Sequence, residues 1–108
     1  MGTFVAQAEA IKKAADMPVI TVGRINSPEL AEEIISQNKA DLVALGRQLI
    51  TDPEWANKAR EGRYDAIVAC DSCNKNCVKS IPENRNRLKY EDLSLCSVNA
   101  RAGKEHLG

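Results

Sequence analysis

The fold is decided by two similar stretches, PVITVGR at residues 18–24 and DLVALGR at residues 41–47. Each is a short apolar run rich in Val, Ile or Leu, and each ends in glycine followed by arginine. Runs that are apolar on both faces are typical of buried strands in a parallel sheet. The two stretches therefore predict two parallel strands that end in the same Gly-Arg pair.

Helical patterns surround the two strands. Apolar residues recur at helical spacing over residues 4–15 and predict a first helix, which ends before Pro18. The sequence Ser-Pro-Glu at residues 27–29 predicts the start of a second helix, because it combines an N-cap, a proline suited to the first helical position and an acidic first turn. We expect this helix to reach about Gln37. Its predicted buried stripe consists of Leu30, Ala31, Ile34 and Ile35.

A third helix follows the second strand. Asp52 is its predicted N-cap, and the helix should run to about Glu61 and end at Gly62. Shorter helical turns are predicted at residues 48–50 and 64–69, and an irregular loop at residues 79–91. The order helix, strand, helix, strand, helix requires parallel strands with a right-handed crossover. The fold class is thus α/β, although two strands alone do not make a stable sheet.

All four cysteines lie in the second half of the chain, at Cys70, Cys73, Cys77 and Cys96. The spacing of the first three brings their thiols together at almost no loop-closure cost, and the fourth returns from beyond a loop. Thiolates select zinc or iron–sulfur clusters. Two disulfides are the alternative in an oxidising setting, whereas clustered cysteines in a reducing compartment favour metal binding.

Composition excludes several classes of function. The 108 residues include 15 basic and 15 acidic side chains, so a net charge of zero gives no electrostatic argument for nucleic acid or an anionic membrane. No apolar run has the length of a signal peptide or a membrane span. We therefore expect a cytoplasmic chain with neither partner. Residues interpreted as packing or surface groups are Trp55, His106, Arg85, Arg87 and Lys89.

Longer stretches carry a resemblance to a known family. PVITVGRINSPELAEE at residues 18–33, ADLVALGRQLITDPEW at 40–55 and KAREGR at 58–63 resemble the end of the flavin-binding barrel in old-yellow-enzyme-like NADH:flavin oxidoreductases. The cysteine spacing, with Ser-Val-Asn after Cys96, resembles the iron–sulfur branch that includes 2,4-dienoyl-CoA reductase, trimethylamine dehydrogenase and enoate reductases. The resemblance implies that residues 1–62 are the last two βα units of a (β/α)8 TIM barrel. Residues 63–108 would form an irregular, cysteine-rich C-terminal extension that binds a cluster.

The resemblance also implies the roles of the two motifs. The loops after strands seven and eight of such barrels commonly bind phosphate. Gly23 and Gly46 would let the backbone approach the FMN phosphate, and Arg24 and Arg47 would supply charge and donors. The four cysteines would ligate a [4Fe-4S] cluster that passes electrons to FMN, with Zn²⁺ as the alternative occupant.

The chain is expected to be a fragment of a longer NAD(P)H-dependent enzyme that reduces enoyl or enone C=C bonds. FAD and NAD(P)H would bind outside it, and its partners would be the remainder of the barrel and a following nucleotide-binding domain. Homo-oligomerisation is another way to cover the strand edges. No catalytic residue is assigned to the chain, and we expect it to be inactive in isolation. The alternative function is a non-enzymatic zinc-binding module with four cysteine ligands.

Overall fold

The structure is a computed structural model that describes residues 1–75, 77–78 and 96–104. The predicted irregular loop, its basic residues and His106 lie outside this part of the chain. In chain order the elements are α1 (Val5–Ala14), β1 (Ile20–Val22), α2 (Pro28–Ser36), β2 (Leu42–Ala44), α3 (Arg47–Thr51), α4 (Trp55–Arg60) and a 3-10 turn (Tyr64–Ala66). The predicted alternation of helices and strands is confirmed.

The two strands pair in parallel, with Ile20 opposite Leu42 and Val22 opposite Ala44. Just before β2, the residue Asp41 extends the pairing through its backbone and its side chain. The Asp41 N–H donates to the Val19 carbonyl at 2.9 Å, and the Val19 N–H donates to Asp41 Oδ2 at 2.9 Å. An ion pair with Lys12 also ties this carboxylate to α1. The start of both strands is thereby fixed against the first helix.

The core lies between the helices and one face of the sheet. Its buried members are Ile25, Ala31, Ile34, Ala40 and Trp55, and half-buried Val43 packs against them. The opposite face of the sheet is uncovered: Ile20, Val22 and Leu42 are 59%, 50% and 55% exposed. Side chains alternate across a strand, so these three share the face away from the helices. The sheet therefore has one packed face and one apolar face without a cover.

The second helix begins as predicted and differs from the prediction along its buried stripe. The Leu30 N–H donates to Ser27 Oγ at 3.3 Å, which confirms the N-cap. Ala31 and Ile34 are buried, but Ile35 is exposed. The prediction for Ile35 was wrong because the core that α2 covers is only two strands wide.

The start of the last helix was also wrongly predicted. The helix α4 begins at Trp55 with Glu54 as its N-cap residue, whereas Asp52 is the C-cap residue of α3. The Trp55 N–H donates to the Asp52 carbonyl at 3.1 Å, so Pro53 occupies a tight turn between the two helices. The prediction failed because this hydrogen-bonded turn, in which Asp52 Oδ1 also accepts from the Glu54 N–H, precedes the first helical residue.

The end of α4 is as predicted. Gly62 has φ of +71°, its N–H donates to the Ala59 carbonyl at 3.3 Å, and the Arg63 N–H donates to the Lys58 carbonyl at 2.9 Å. These paired bonds form a Schellman motif, which turns the chain toward the cysteine segment. No helix in the described part of the chain is long and apolar enough to cross a membrane.

Candidate functional site

The two Gly-Arg pairs meet at one cavity. Gly23, Arg24, Gly46 and Arg47 all line a space of about 210 Å³ at the carboxyl ends of β1 and β2. Parallel strands place their carboxyl ends at the same edge of a sheet, so residues 23 positions apart in the sequence come together. We call this space the strand-end cavity. Cys70, from the cysteine segment, lines it too.

The backbone at the end of β1 has an unusual conformation. Gly23 and Arg24 have φ of +112° and +52°, the second value being uncommon for a residue with a side chain. A Cβ at Gly23 would lie 2.7 Å from a ring carbon of Phe4, while a Cβ at Gly46 would meet no protein atom within 4 Å. Gly23 is therefore required by packing and conformation. Only Gly46 has open space beside it of the kind that a ligand could use.

The two arginines have different surroundings. Arg24 is exposed, and within the described residues its guanidinium makes no ion pair. The Arg47 guanidinium donates a hydrogen bond to Asn74 Oδ1, in the loop that carries the first three cysteines. Arg47 thus links the end of β2 to the cysteine segment, a contact that sequence reasoning did not predict.

All four cysteines line a second, narrower cavity, which we call the cysteine cavity. None of these four cysteines forms a disulfide. Arg47 and Thr51 of α3 form another part of its wall, as does Ser97. The structure therefore brings the four predicted ligands together at one place. In residues 1–75, 77–78 and 96–104, however, no group of three or more His, Cys, Asp or Glu side chains is arranged to hold a single metal ion.

Hydrogen bonds surround the sulfurs. The Ser72 N–H donates to Cys70 Sγ and the Val98 N–H to Cys96 Sγ, both at 3.4 Å. The Ser97 hydroxyl lies 3.0 Å from Cys73 Sγ. Burial raises the pKa of the Cys96 thiol, but its hydrogen bond with Thr51 and those with the backbone at Asn99 and Val98 outweigh it and hold that pKa below its usual value. Such donors stabilise a sulfur that carries negative charge.

A buried amide holds the first cysteine. Gln48 is only 4% exposed. Its Nε2 donates to the Val68 carbonyl at 2.8 Å, and its Oε1 accepts from the Cys70 N–H at 2.9 Å. The Gln48 side chain thus pairs with two backbone groups. One is the carbonyl of Val68, which precedes the first predicted ligand, and the other is the N–H of that ligand, Cys70. Gln48 thereby fixes the position of Cys70, which lines both cavities.

A buried carboxylate supports the same segment. Asp52 Oδ2 accepts from the Val68 N–H at 2.9 Å and from Lys58 Nζ at 2.8 Å, and its Oδ1 accepts from the Glu54 N–H at 3.1 Å. Burial raises the pKa of Asp52, but the bonds from Lys58 and from the two backbone donors outweigh it, so the pKa lies below its usual value. Asp52 remains charged and satisfied at neutral pH.

The last cysteine is held by the far end of α3. Thr51 Oγ1 lies 3.4 Å from Cys96 Sγ, and Asn99 Nδ2 donates to the Ile50 carbonyl at 2.9 Å. Sequence reasoning missed Gln48, Thr51, Asp52 and Asn99 as functional residues. Gln48 and Thr51 showed only polarity at a predicted helical turn, and Asn99 appeared only as part of the Ser-Val-Asn motif after Cys96; neither signal identifies a partner.

Comparison with known proteins defines the class. Residues 2–66 match the sequence profile of the NADH:flavin oxidoreductase / NADH oxidase family. The chain belongs to this family of flavin-dependent oxidoreductases, as the sequence resemblance predicted.

Two individual relatives are similar to nearly the whole of this chain. It is 49% identical over 104 residues to an NADH oxidase of Thermoanaerobacter brockii, an alignment that covers 96% of this chain and 15% of the relative. It is 38% identical over 104 residues to a cinnamate reductase of Clostridium sporogenes, with the same coverage of 96% and 15%. The chain therefore spans about 15% of the length of these two relatives.

A solved structure gives the same result for the fold. The 6-hydroxypseudooxynicotine amine oxidase of Pseudomonas geniculata N1 superposes with a TM-score of 0.80 and 30% identity, over 99% of this chain and 15% of that one. The two β/α units are thus a segment of a TIM-barrel fold, with an irregular cysteine-rich extension. The uncovered face of β1 and β2 is explained, since strands of a barrel have side chains on both faces packed.

Proposed function

We propose that the chain supplies the FMN-phosphate subsite and the cluster ligands of an NAD(P)H oxidoreductase that reduces enoyl or enone C=C bonds. The observation that carries this proposal is that the two cavities share lining residues. Arg47 and Cys70 line both the strand-end cavity and the cysteine cavity. An FMN phosphate bound in the first cavity would therefore lie beside a cluster bound in the second, so the flavin and the cluster would belong to one neighbouring pair of cofactors.

The strand-end cavity suits a phosphate. Arg24 and Arg47 bring two guanidinium groups to its wall, and a guanidinium presents a fork of donors that matches phosphate oxygens. The open space beside Gly46 allows a ligand to approach the backbone. We therefore assign Gly23, Arg24, Gly46 and Arg47 to this subsite. A flavin bound there would supply hydride and electron-accepting chemistry.

The cysteine cavity suits an iron–sulfur cluster. None of its four cysteines forms a disulfide, and hydrogen-bond donors face the sulfurs of Cys70 and Cys96. A [4Fe-4S] cluster is held by four cysteine thiolates, and four cysteines line this one cavity. The assigned ligands are Cys70, Cys73, Cys77 and Cys96.

The proposed reaction is supported by the similarity to the relatives. Reduction of a C=C bond is supported by the similarity to a protein named cinnamate reductase. The uncovered sheet face and the small share of the relatives that this chain spans support a longer protein, with the remaining barrel strands and a nucleotide-binding domain as partners. FAD and NAD(P)H would bind to those other parts.

The proposal is tested on the longer protein, purified without oxygen. We expect it to retain FMN and to oxidise NADH or NADPH when cinnamate is added as a probe enoate. Arg47→Ala should lower FMN retention at least tenfold, because it removes a charged donor from the cavity. Arg60→Ala, which removes an exposed arginine from α4, serves as the control. Unchanged FMN retention in Arg47→Ala would contradict the assigned subsite.

A further inference from the structure

Thr51 brings a buried hydroxyl to the wall of the cysteine cavity. The residue is 4% exposed. Its Oγ1 lies 3.4 Å from Cys96 Sγ and 3.1 Å from the Arg47 carbonyl, to which the hydroxyl donates. Neither the motif nor the comparisons assign a role to this residue.

The hydroxyl has one proton and two neighbouring acceptors. While Cys96 is a thiol, its own proton can satisfy the contact to Thr51, and the Thr51 proton is free to reach the Arg47 carbonyl. A ligand thiolate has no proton. The contact with Cys96 is then a hydrogen bond only if Thr51 donates to the sulfur.

The alternative acceptor does not need this proton. In an α-helix the backbone N–H of residue i+4 donates to the carbonyl of residue i, so the Thr51 N–H serves the Arg47 carbonyl. Turning the hydroxyl toward sulfur leaves no buried group unpaired. The cost of the exchange is therefore small.

We propose that the Thr51 hydroxyl donates a hydrogen bond to the Cys96 sulfur when that sulfur binds iron, and thereby raises the reduction potential of the centre. This inference rests on the proposed function, which makes Cys96 a cluster ligand. Reduction adds negative charge to the cluster and its sulfurs, and a donor to sulfur stabilises the reduced form more than the oxidised form. Because Thr51 is buried, water does not replace the lost donor.

Ser97 provides a comparison within the same cavity. Its hydroxyl lies 3.0 Å from Cys73 Sγ, but Ser97 is exposed. Water can take the place of an exposed hydroxyl. Removing the Ser97 hydroxyl should therefore change the potential less than removing the Thr51 hydroxyl, although its distance to sulfur is shorter.

The test is an anaerobic redox titration of the cofactor-loaded longer protein, followed by EPR of the reduced cluster. Thr51→Val removes the hydroxyl and keeps the shape, and Thr51→Ser keeps the hydroxyl. We expect Thr51→Val to lower the reduced-to-oxidised ratio about tenfold at the midpoint of the unmodified protein, equivalent to roughly 59 mV for a one-electron couple. The reduction potential of Thr51→Ser should stay near that of the unmodified protein. Ser97→Ala should shift the reduction potential by less than half as much as Thr51→Val does.

The outcomes separate this inference from the proposed function. Iron content is measured first, and an unmodified protein that holds zinc or no metal would overturn both. An iron-loaded Thr51→Val protein with an unshifted potential would overturn the role of Thr51 alone. Thr51→Ala replaces Thr51→Val if the valine variant does not fold. If both lack a cluster while Thr51→Ser holds one, the hydroxyl acts in assembly and the proposed tuning is wrong.

Discussion

At the scale of single residues, Gln48 determines how the first cysteine is held. Gln48→Met keeps the length of the side chain and removes both of its hydrogen bonds, so the Val68 carbonyl and the Cys70 N–H lose their partner. Each polar group left unsatisfied costs about 1–3 kcal/mol. We expect the free energy of unfolding in urea to fall by about 2–4 kcal/mol, with a lower iron content.

Gln37 provides the control for this change. It is exposed at the end of α2, and its only side-chain bond among the described residues is a 3.4 Å contact with Glu33. Gln37→Met should alter the free energy of unfolding by less than about 0.5 kcal/mol. Equal effects of the two substitutions would show that the Gln48 amide does not hold the cysteine segment.

Asp52 makes stability depend on pH. Its pKa in the folded protein lies below the usual value, so the unfolded state binds the proton more readily. The contribution of Asp52 to the free energy of unfolding is therefore present above its pKa in the unfolded state, about 3.9. It is lost as the pH falls through its pKa in the folded state. Unfolding in urea between pH 7 and pH 3 should show a smaller loss of stability in Asp52→Asn than in the unmodified protein.

An exposed acidic residue tests whether this effect is specific to Asp52. Glu29→Gln changes a carboxylate in the first turn of α2, away from the cysteine segment. Glu29→Gln should change the free energy of unfolding at pH 7 by less than about 0.5 kcal/mol. A curve for Asp52→Asn that runs parallel to that of the unmodified protein would contradict the assigned role of the buried carboxylate.

The sequence identified candidate site residues only where a motif carries them, and the roles of these residues stay predictions. The cysteines and the Gly-Arg pairs stand out through spacing and recurrence, and the structure brings each set to one cavity. Gln48 and Thr51 act on partners 20 and 45 residues away. Such contacts depend on how the segment after α4 packs against α3. No local pattern of residues encodes that packing.

At the scale of elements, two glycines separate the requirements of the fold from those of the site. Gly62 needs its left-handed conformation to end α4, whereas Gly46 has negative φ and open space at its Cβ position. Gly62→Ala should lower the free energy of unfolding by about 1 kcal/mol and leave FMN affinity unchanged. Gly46→Ala should leave stability nearly unchanged and weaken FMN binding, measured by flavin fluorescence. The reverse pattern would contradict the assignment of Gly46.

Helix ends were predicted correctly where the capping group acts locally. Ser27 caps α2, and Gly62 ends α4, because each interacts with residues of its own turn. The start of α4 was wrong because a hydrogen-bonded turn over residues 52–55 precedes the helix, and Asp52 serves that turn instead of the first helical turn. The short helix α3 was predicted as one turn. That it contacts both parts of the cysteine segment was not predicted.

At the scale of the whole molecule, the uncovered sheet face distinguishes a segment from an independent domain. Ile20 lies on this face, and in the proposed longer protein the rest of the barrel packs against it. Ile20→Asp should then cost several kcal/mol in that protein, because a carboxylate would be buried without a partner. Ile20→Val should cost about 1 kcal/mol. If Ile20→Asp changes the free energy of unfolding by less than about 0.5 kcal/mol, the face is exposed in the longer protein as well.

The central claim is that one short helix joins a flavin-phosphate subsite to a four-cysteine iron–sulfur site. Mössbauer spectroscopy of the longer protein, enriched in iron-57 and purified without oxygen, tests it most directly. We predict the spectrum of a [4Fe-4S] cluster together with bound FMN, and loss of that spectrum in Cys96→Ser. Zinc in place of iron, or an iron signal unchanged by Cys96→Ser, would contradict the account.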